Sequence, residues 1–200
     1  MNILTDTLPN TIVIDGQKYK INTDFRAGIM FENMVMSGEW DFEKLAKMFF
    51  EDRIPEDLKS AFKSIQLFYC CGKLPEKTAK NAAKKELKQA YSFEMDAECI
   101  VADFWRFYNV DLTQEGLHWW TFRALLDGLP SDSNFKERAY YRTCDLKNLS
   151  KNERKRVNEI RNLIEIKPRG EKKTLEARNN SMKDYITRRL AEISGGEMNG

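Results

Sequence analysis

The chain has 200 residues, 42% hydrophobic and 32% charged, which suits one globular domain with an extended end rather than several independent modules. A single histidine, His118, excludes any site that needs two imidazoles from one subunit. Four cysteines (Cys70, Cys71, Cys99, Cys144) without CxxC spacing fit neither a disulfide scaffold nor a zinc ribbon, so free thiols in a reducing cytoplasm are expected. The formal charge of +2 sums unlike parts: residues 147–189 hold 14 basic and 6 acidic residues, leaving 19 against 25 elsewhere.

The opening residues 1–16 are mixed and acidic, unlike a signal peptide, and no apolar run approaches the roughly 20 residues of a membrane span. The first predicted element is a β-hairpin. Thr11-Ile12-Val13-Ile14 is β-branched, Asp15-Gly16 is a two-residue turn signal, and Gln17 to Ile21 resumes the alternation. A lone hairpin is marginal in water, so Ile12, Ile14, Tyr19 and Ile21 are expected to lie against helices or another subunit.

Helical signals follow. Thr23-Asp24 caps a helix carrying Ile29, Met30, Asn33 and Met34 and stopped by Gly38; a second runs over about 41–50 with Phe42, Leu45, Ala46 and Phe49 on one face. A third spans about 55–71, with Leu58, Phe62, Ile65 and Tyr69 at helical spacing and Gly72 and Pro75 beyond it. Residues 73–89 hold six lysines and few large apolar groups. Further helices are predicted over about 95–108, from a Thr113 cap to Gly128, from a Ser133 cap to Cys144, and after the Ser150/Glu153 capping box.

The expected fold is mainly α: a helical domain with an N-terminal β-hairpin. Along the chain, 1–72 is the hairpin with helices and 73–89 a Lys-rich linker or mobile helix. Residues 90–167 are an aromatic-rich helical part, and 168–200 a basic, flexible arm.

Motifs of catalysis are missing: there is no phosphate loop, dinucleotide fingerprint or nucleophile elbow. Glu115 and His118 stand three apart on a predicted helix, but a di-iron bundle needs two such pairs. Asp96, Glu98, Asp103, Asp111, Glu115 and Asp127 follow no ligand spacing and read as solvated helix faces and helix-end charges. Cys70-Cys71 has only Lys73 nearby as a base and reads as a pair of small buried hydrophobes. No catalytic residue, metal ligand or cofactor is therefore expected, and the chain reads as non-enzymatic.

Aromatic residues are the informative feature. Consecutive Trp119 and Trp120 differ by 100° around a helix and so are not expected to face one core equally. With Trp105 and Tyr108 they are the candidate partner-binding residues, because large aromatics dominate interface hot spots. Acidic residues interleave with the basic ones of the C-terminal arm, which argues against nucleic acid and for a solvated or partner-binding arm.

Several stretches resemble one known family. Ile14-Asp15-Gly16-x-x-Tyr19-x-Ile21-x-Thr23-Asp24-Phe25-Arg26, Asp103-Phe104 with Tyr108-x-x-Asp111-Leu112, and residues 138–142 are similar to the phage family called gene product fifteen. The most specific stretch is Leu117-His118-Trp119-Trp120-x-Phe122-x-Ala124-Leu125-x-x-Gly128-Leu129-Pro130. The resemblance spans about 12–166. It implies a siphovirus or prophage protein encoded next to the tape-measure gene. Its implied role is that of a tail assembly chaperone, which coats the tape-measure protein and brings tail-tube subunits to it in the cytoplasm of the infected bacterium, without staying in the mature virion. No catalytic residue comes with the family, and self-association is left open. The alternatives are a structural minor tail or connector protein retained in the virion, and a nucleic-acid-binding protein using the basic arm.

Overall fold

A computed structural model describes residues 2–38, 40–73, 89–147 and 149–166. The C-terminal arm 168–200 and all of the Lys-rich stretch except its two end residues lie outside the described residues. The order is β1 (Thr11–Ile14), β2 (Gln17–Lys20), α1 (Phe25–Ser37), α2 (Phe42–Phe49), α3 (Leu58–Tyr69), α4 (Ala97–Tyr108), α5 (Trp119–Gly128), α6 (Asn134–Thr143) and α7 (Lys151–Leu163). This is the expected helical fold with an N-terminal hairpin.

The chain forms two compact units. One holds the described residues of 1–75 together with Leu117–Trp120; the other holds those of 76–116 and 121–167. Leu117–Trp120 thus leaves the aromatic-rich part in which a linear division puts it.

In the first unit, β1 and β2 pair antiparallel with Ile12 opposite Tyr19 and Ile14 opposite Gln17. Asp15 (φ 49°) and Gly16 (φ 76°) both occupy the left-handed region that a two-residue hairpin turn requires. Ile14 and Ile21 are buried, α3 packs on β1, and Tyr19 meets Phe50 edge to face with 5.9 Å between centroids. Beyond β2, Ile21 forms an antiparallel bridge with Phe50, and the Glu51 amide donates to the Lys20 carbonyl at 3.2 Å.

Helix α2 buries the four residues expected, Phe42, Leu45, Ala46 and Phe49. Helix α1 departs from expectation. Its buried face is Phe25, Ala27, Gly28, Phe31 and Glu32, whereas Met30 is exposed and Ile29 and Met34 are half-buried. The reason lies in its neighbours: Gly28 admits an aromatic ring, and the Glu32 carboxylate accepts a bond from the Tyr69 hydroxyl. Asp57 rather than Pro55 opens α3, its carboxylate taking the amides of Lys59 and Ser60.

In the second unit, Phe104 of α4 stacks on Phe122 of α5 at 5.3 Å, and Phe93 and Tyr91 extend this aromatic core to Phe135 of α6. Helix α4 ends on Asn109 in the left-handed conformation (φ 53°). The Ser133 cap of α6 and the full Ser150/Glu153 capping box of α7 are present as predicted. Thr113 does not start a helix. Its amide and hydroxyl bond to the Asp111 carboxylate in a turn, and α5 begins only at Trp119.

Candidate functional site

The delay of α5 has a tertiary cause. Segment 117–119 lies antiparallel to 23–25: the Phe25 amide donates to the Leu117 carbonyl at 2.9 Å, and the Trp119 amide to the Thr23 carbonyl at 2.7 Å. Asp24 and His118 are bridge partners. This extended pairing outweighs local helix propensity over 115–118.

The bridge places the first turn of α5 at the end of α3. The indole N–H of Trp119 donates to the Tyr69 carbonyl and that of Trp120 to the Phe68 carbonyl, each at 2.8 Å. Carbonyls in the last turn of a helix have no partner within it. Here the Cys70 amide serves Gln66, the Gly72 amide serves Leu67, and two tryptophans complete the set at Phe68 and Tyr69. The Trp119 ring also stacks on Tyr69 at 5.1 Å, and the Trp120 ring packs on Phe68 at 5.9 Å.

Both tryptophans are buried, Trp119 completely. Neither lines a surface, which corrects their assignment as partner-binding residues. Two consecutive side chains share one interior because they open the helix, where the two indoles reach two successive carbonyls of α3.

His118 holds the same corner. Its Nδ1 accepts the Trp120 amide at 3.1 Å, so Nε2 carries the proton and donates to the Pro9 carbonyl at 3.1 Å. Burial lowers its pKa, against the opposing pull of the Pro9 carbonyl. The ring is a structural, neutral imidazole, and Glu115 lies exposed outside α5.

In the second unit Glu98, Glu115 and Asp127 are exposed as expected, but two of the six acidic residues depart from expectation. Asp96 and Asp103 are wholly buried rather than solvated. Arg142 clasps Asp96 through two bonds, 2.6 Å and 2.8 Å, and gives two further N–H donors to the carbonyls of Ile164 and Ala90. Arg138 adds a bond of 3.3 Å to Asp96. Burial pushes the Asp96 carboxyl up, but the Arg142 bonds and charge, the Ser92 amide and Arg138 together hold it below the usual carboxylate range. Asp103 of α4 accepts the amides of Asn134 and Phe135 and so caps α6 from a distance. The signal in sequence would have been a buried acid with a helix cap or an arginine as its only affordable partner, but those partners lie 31 to 46 positions away.

Tyr108 is half-buried. Its hydroxyl donates to the Leu125 carbonyl at 2.8 Å, its ring meets Phe104, and burial pushes its pKa up. Trp105 alone of the four candidates is open to solvent, at 56% exposure on the α4 face that also carries Glu98 and Ala102. Tyr140 on α6 is exposed as well. Trp105 and Tyr140 are thus large aromatics presented by two helices that pack together.

On α7, Lys151, Arg154, Lys155, Asn158, Glu159 and Asn162 line a shallow groove. Its cations are not idle: Arg154 donates to the carbonyls of Leu149 and Lys147, and Lys155 lies 4.0 Å from Glu159. Among the described residues no three His, Cys, Asp or Glu side chains gather as metal ligands, and no helix is long and apolar enough to cross a membrane. None of the four cysteines forms a disulfide; all are half-buried.

The described residues form a helical protein with a docked N-terminal hairpin, and its family-like motifs at 14–26 and 117–120 meet in the 24/118 bridge. Residues 4–166 match the model of the Bacteriophage Gp15 protein family, and the chain belongs to that family. It is a phage protein. No curated protein and no solved structure matches it.

Proposed function

We propose that this phage protein is a tail assembly chaperone that binds the tape-measure protein and brings tail-tube subunits to it in the host cytoplasm. The observation that carries this reading is the family match over 4–166, which makes the chain a phage protein; the resemblance to tail-cluster proteins then supplies the role. Exposed Trp105 and Tyr140 support it, since an amphipathic helix of the tape-measure protein would cover such rings. The reading is of a protein that acts without catalysis, and it accords with the structural partners held by buried Glu32, Asp96, Asp103 and Arg142 and by half-buried His118.

Co-expression tests the proposal. The tape-measure protein should become soluble and co-purify with this chain, and Trp105→Ala should weaken the complex while leaving the far-UV dichroism unchanged. A tape-measure protein equally insoluble with and without the chain, and absent from its eluate, defeats the reading. Mass spectrometry of purified virions separates it from a structural role, because a retained tail component would appear there in fixed copy number.

A further inference from the structure

We propose that β1 is the pairing edge of a symmetric dimer, formed when Thr11–Val13 of one copy adds antiparallel to the same residues of a second copy.

The hairpin register decides which backbone groups face outward. The Ile21 amide donates inward to the Asn10 carbonyl at 3.0 Å, so pairs Asn10/Ile21, Ile12/Tyr19 and Ile14/Gln17 are the hydrogen-bonded ones. Residues at the other positions turn their amide and carbonyl out of the ladder. On β2 this is seen directly, for the outward carbonyl of Lys20 takes the Glu51 amide. On β1 the outward residues are Thr11 and Val13, and among the described residues no amide or carbonyl pairs with theirs.

Helix α3 packs on β1 yet leaves Thr11 and Val13 exposed, and the defences that sequence can supply to an edge are missing from these positions. Thr11-Ile12-Val13 has no charge, no proline and no bulge, and Val13 is 59% exposed. Pro9 closes the edge at one end, with no N–H and its carbonyl held by His118; the Asp15-Gly16 turn closes it at the other.

This short edge is complementary to itself. Two copies related by a two-fold axis through Ile12 set Thr11 against Val13 of the second copy at both ends, and each of these two pairs exchanges both of its backbone bonds. Ile12 meets Ile12 of the second copy as the close, non-hydrogen-bonded pair, which buries a side chain that is half-exposed in one copy. In this register Asp15 faces Pro9 and Asn10 faces Ile14, so no like charges meet. Shifting the axis to Thr11 would set Val13 against Pro9, which has no amide to give.

Sedimentation velocity of the full chain across a wide concentration range tests the dimer, with Val13→Pro as the variant. Proline there removes only the outward amide and leaves the hairpin ladder intact. The native chain should dimerise with concentration, and Val13→Pro should weaken the dimer by about tenfold or more with unchanged far-UV dichroism. Should Val13→Pro misfold, cysteine scanning decides: under oxidation Ile12→Cys should link two copies, whereas Thr11→Cys should link no more than the native chain. Equal linking by both, a native chain monomeric throughout, or a folded Val13→Pro dimer of native strength overturns the proposal. A monomer whose complex with the tape-measure protein is lost in Val13→Pro also overturns it, and assigns the edge to a strand of that partner.

Discussion

Gly28 of α1 lies directly under the indole of Trp119. A β-carbon at Gly28 would stand 2.7 Å from Cζ3 of that ring and closer still to Cε3 and Cδ2. Two effects compete there. Replacing a mid-helix glycine by alanine ordinarily stabilises by roughly 0.5–1 kcal/mol. Forcing an extra carbon into a packed interior costs typically about 1–3 kcal/mol, and Trp119 is pinned by its bond to Tyr69 and cannot retreat. Gly28→Ala should therefore destabilise the protein by about 1–2 kcal/mol, read as a lower urea midpoint. Combined with Trp119→Leu, the two losses should not add, and a double-mutant cycle should show coupling above about 0.5 kcal/mol; additive losses would disprove the contact.

The indoles of Trp119 and Trp120 should not be equally costly to remove. Trp120→Phe leaves the Phe68 carbonyl with the Cys71 amide, which donates to it at 2.9 Å, whereas Trp119→Phe shrinks a completely buried ring and removes its indole bond to the Tyr69 carbonyl. We expect a loss of about 1 kcal/mol for Trp120→Phe and about 2–4 kcal/mol for Trp119→Phe, where the cavity left by a completely buried ring adds to the lost indole bond. Chemical denaturation of the two variants side by side checks the order; a larger loss for Trp120→Phe contradicts it.

The legible parts of the fold are those whose signals are local. Helix α2 follows from four apolar residues at helical spacing, the hairpin turn from Asp15-Gly16, and the start of α7 from Ser150 and Glu153. What sequence concealed depends on partners far along the chain. The 115–118 stretch reads as helix until the backbone of 23–25 pairs with it, and α1 turns its glycine face inward only because Trp119 arrives there. Asp96 and Asp103 look solvated because nothing nearby announces Arg142 or the α6 amides. Of the candidate surface, exposed Trp105 was readable as a spare aromatic, but its distinction from buried Trp119 and Trp120 was not.

Asp96 and Arg142 form an ion pair that is best tested by breaking one side. Asp96→Ala leaves a guanidinium buried without its counter-charge, and should cost about 3–5 kcal/mol. The double variant Asp96→Leu/Arg142→Met should recover much of that loss, since apolar residues of similar volume serve a buried site comparably. The depressed Asp96 carboxyl also supplies acid sensitivity: its contribution is complete above the unfolded value near 3.8 and is lost as pH falls below it through the folded value. Urea midpoints measured down through this range should fall less steeply in the double variant than in the native chain.

His118 supplies a second, separate window. Its folded pKa lies below the ordinary 6.5, so the unfolded chain takes up a proton first as pH falls. The stability it contributes is therefore complete above about pH 6.5 and declines as pH falls from there through the folded value. Protonation at Nδ1 would set a donor against the Trp120 amide and release the bond that His118 now accepts. His118→Phe keeps a ring between Phe68 and Trp120 but loses both nitrogen bonds, and should lower stability by about 1–3 kcal/mol at neutral pH. It should also flatten the stability profile below pH 6.5 while leaving the Asp96 window unchanged. An NMR titration of the one histidine reads the same event directly, and an imidazole titrating at or above 6.5 in the folded protein would contradict the half-buried, doubly bonded ring.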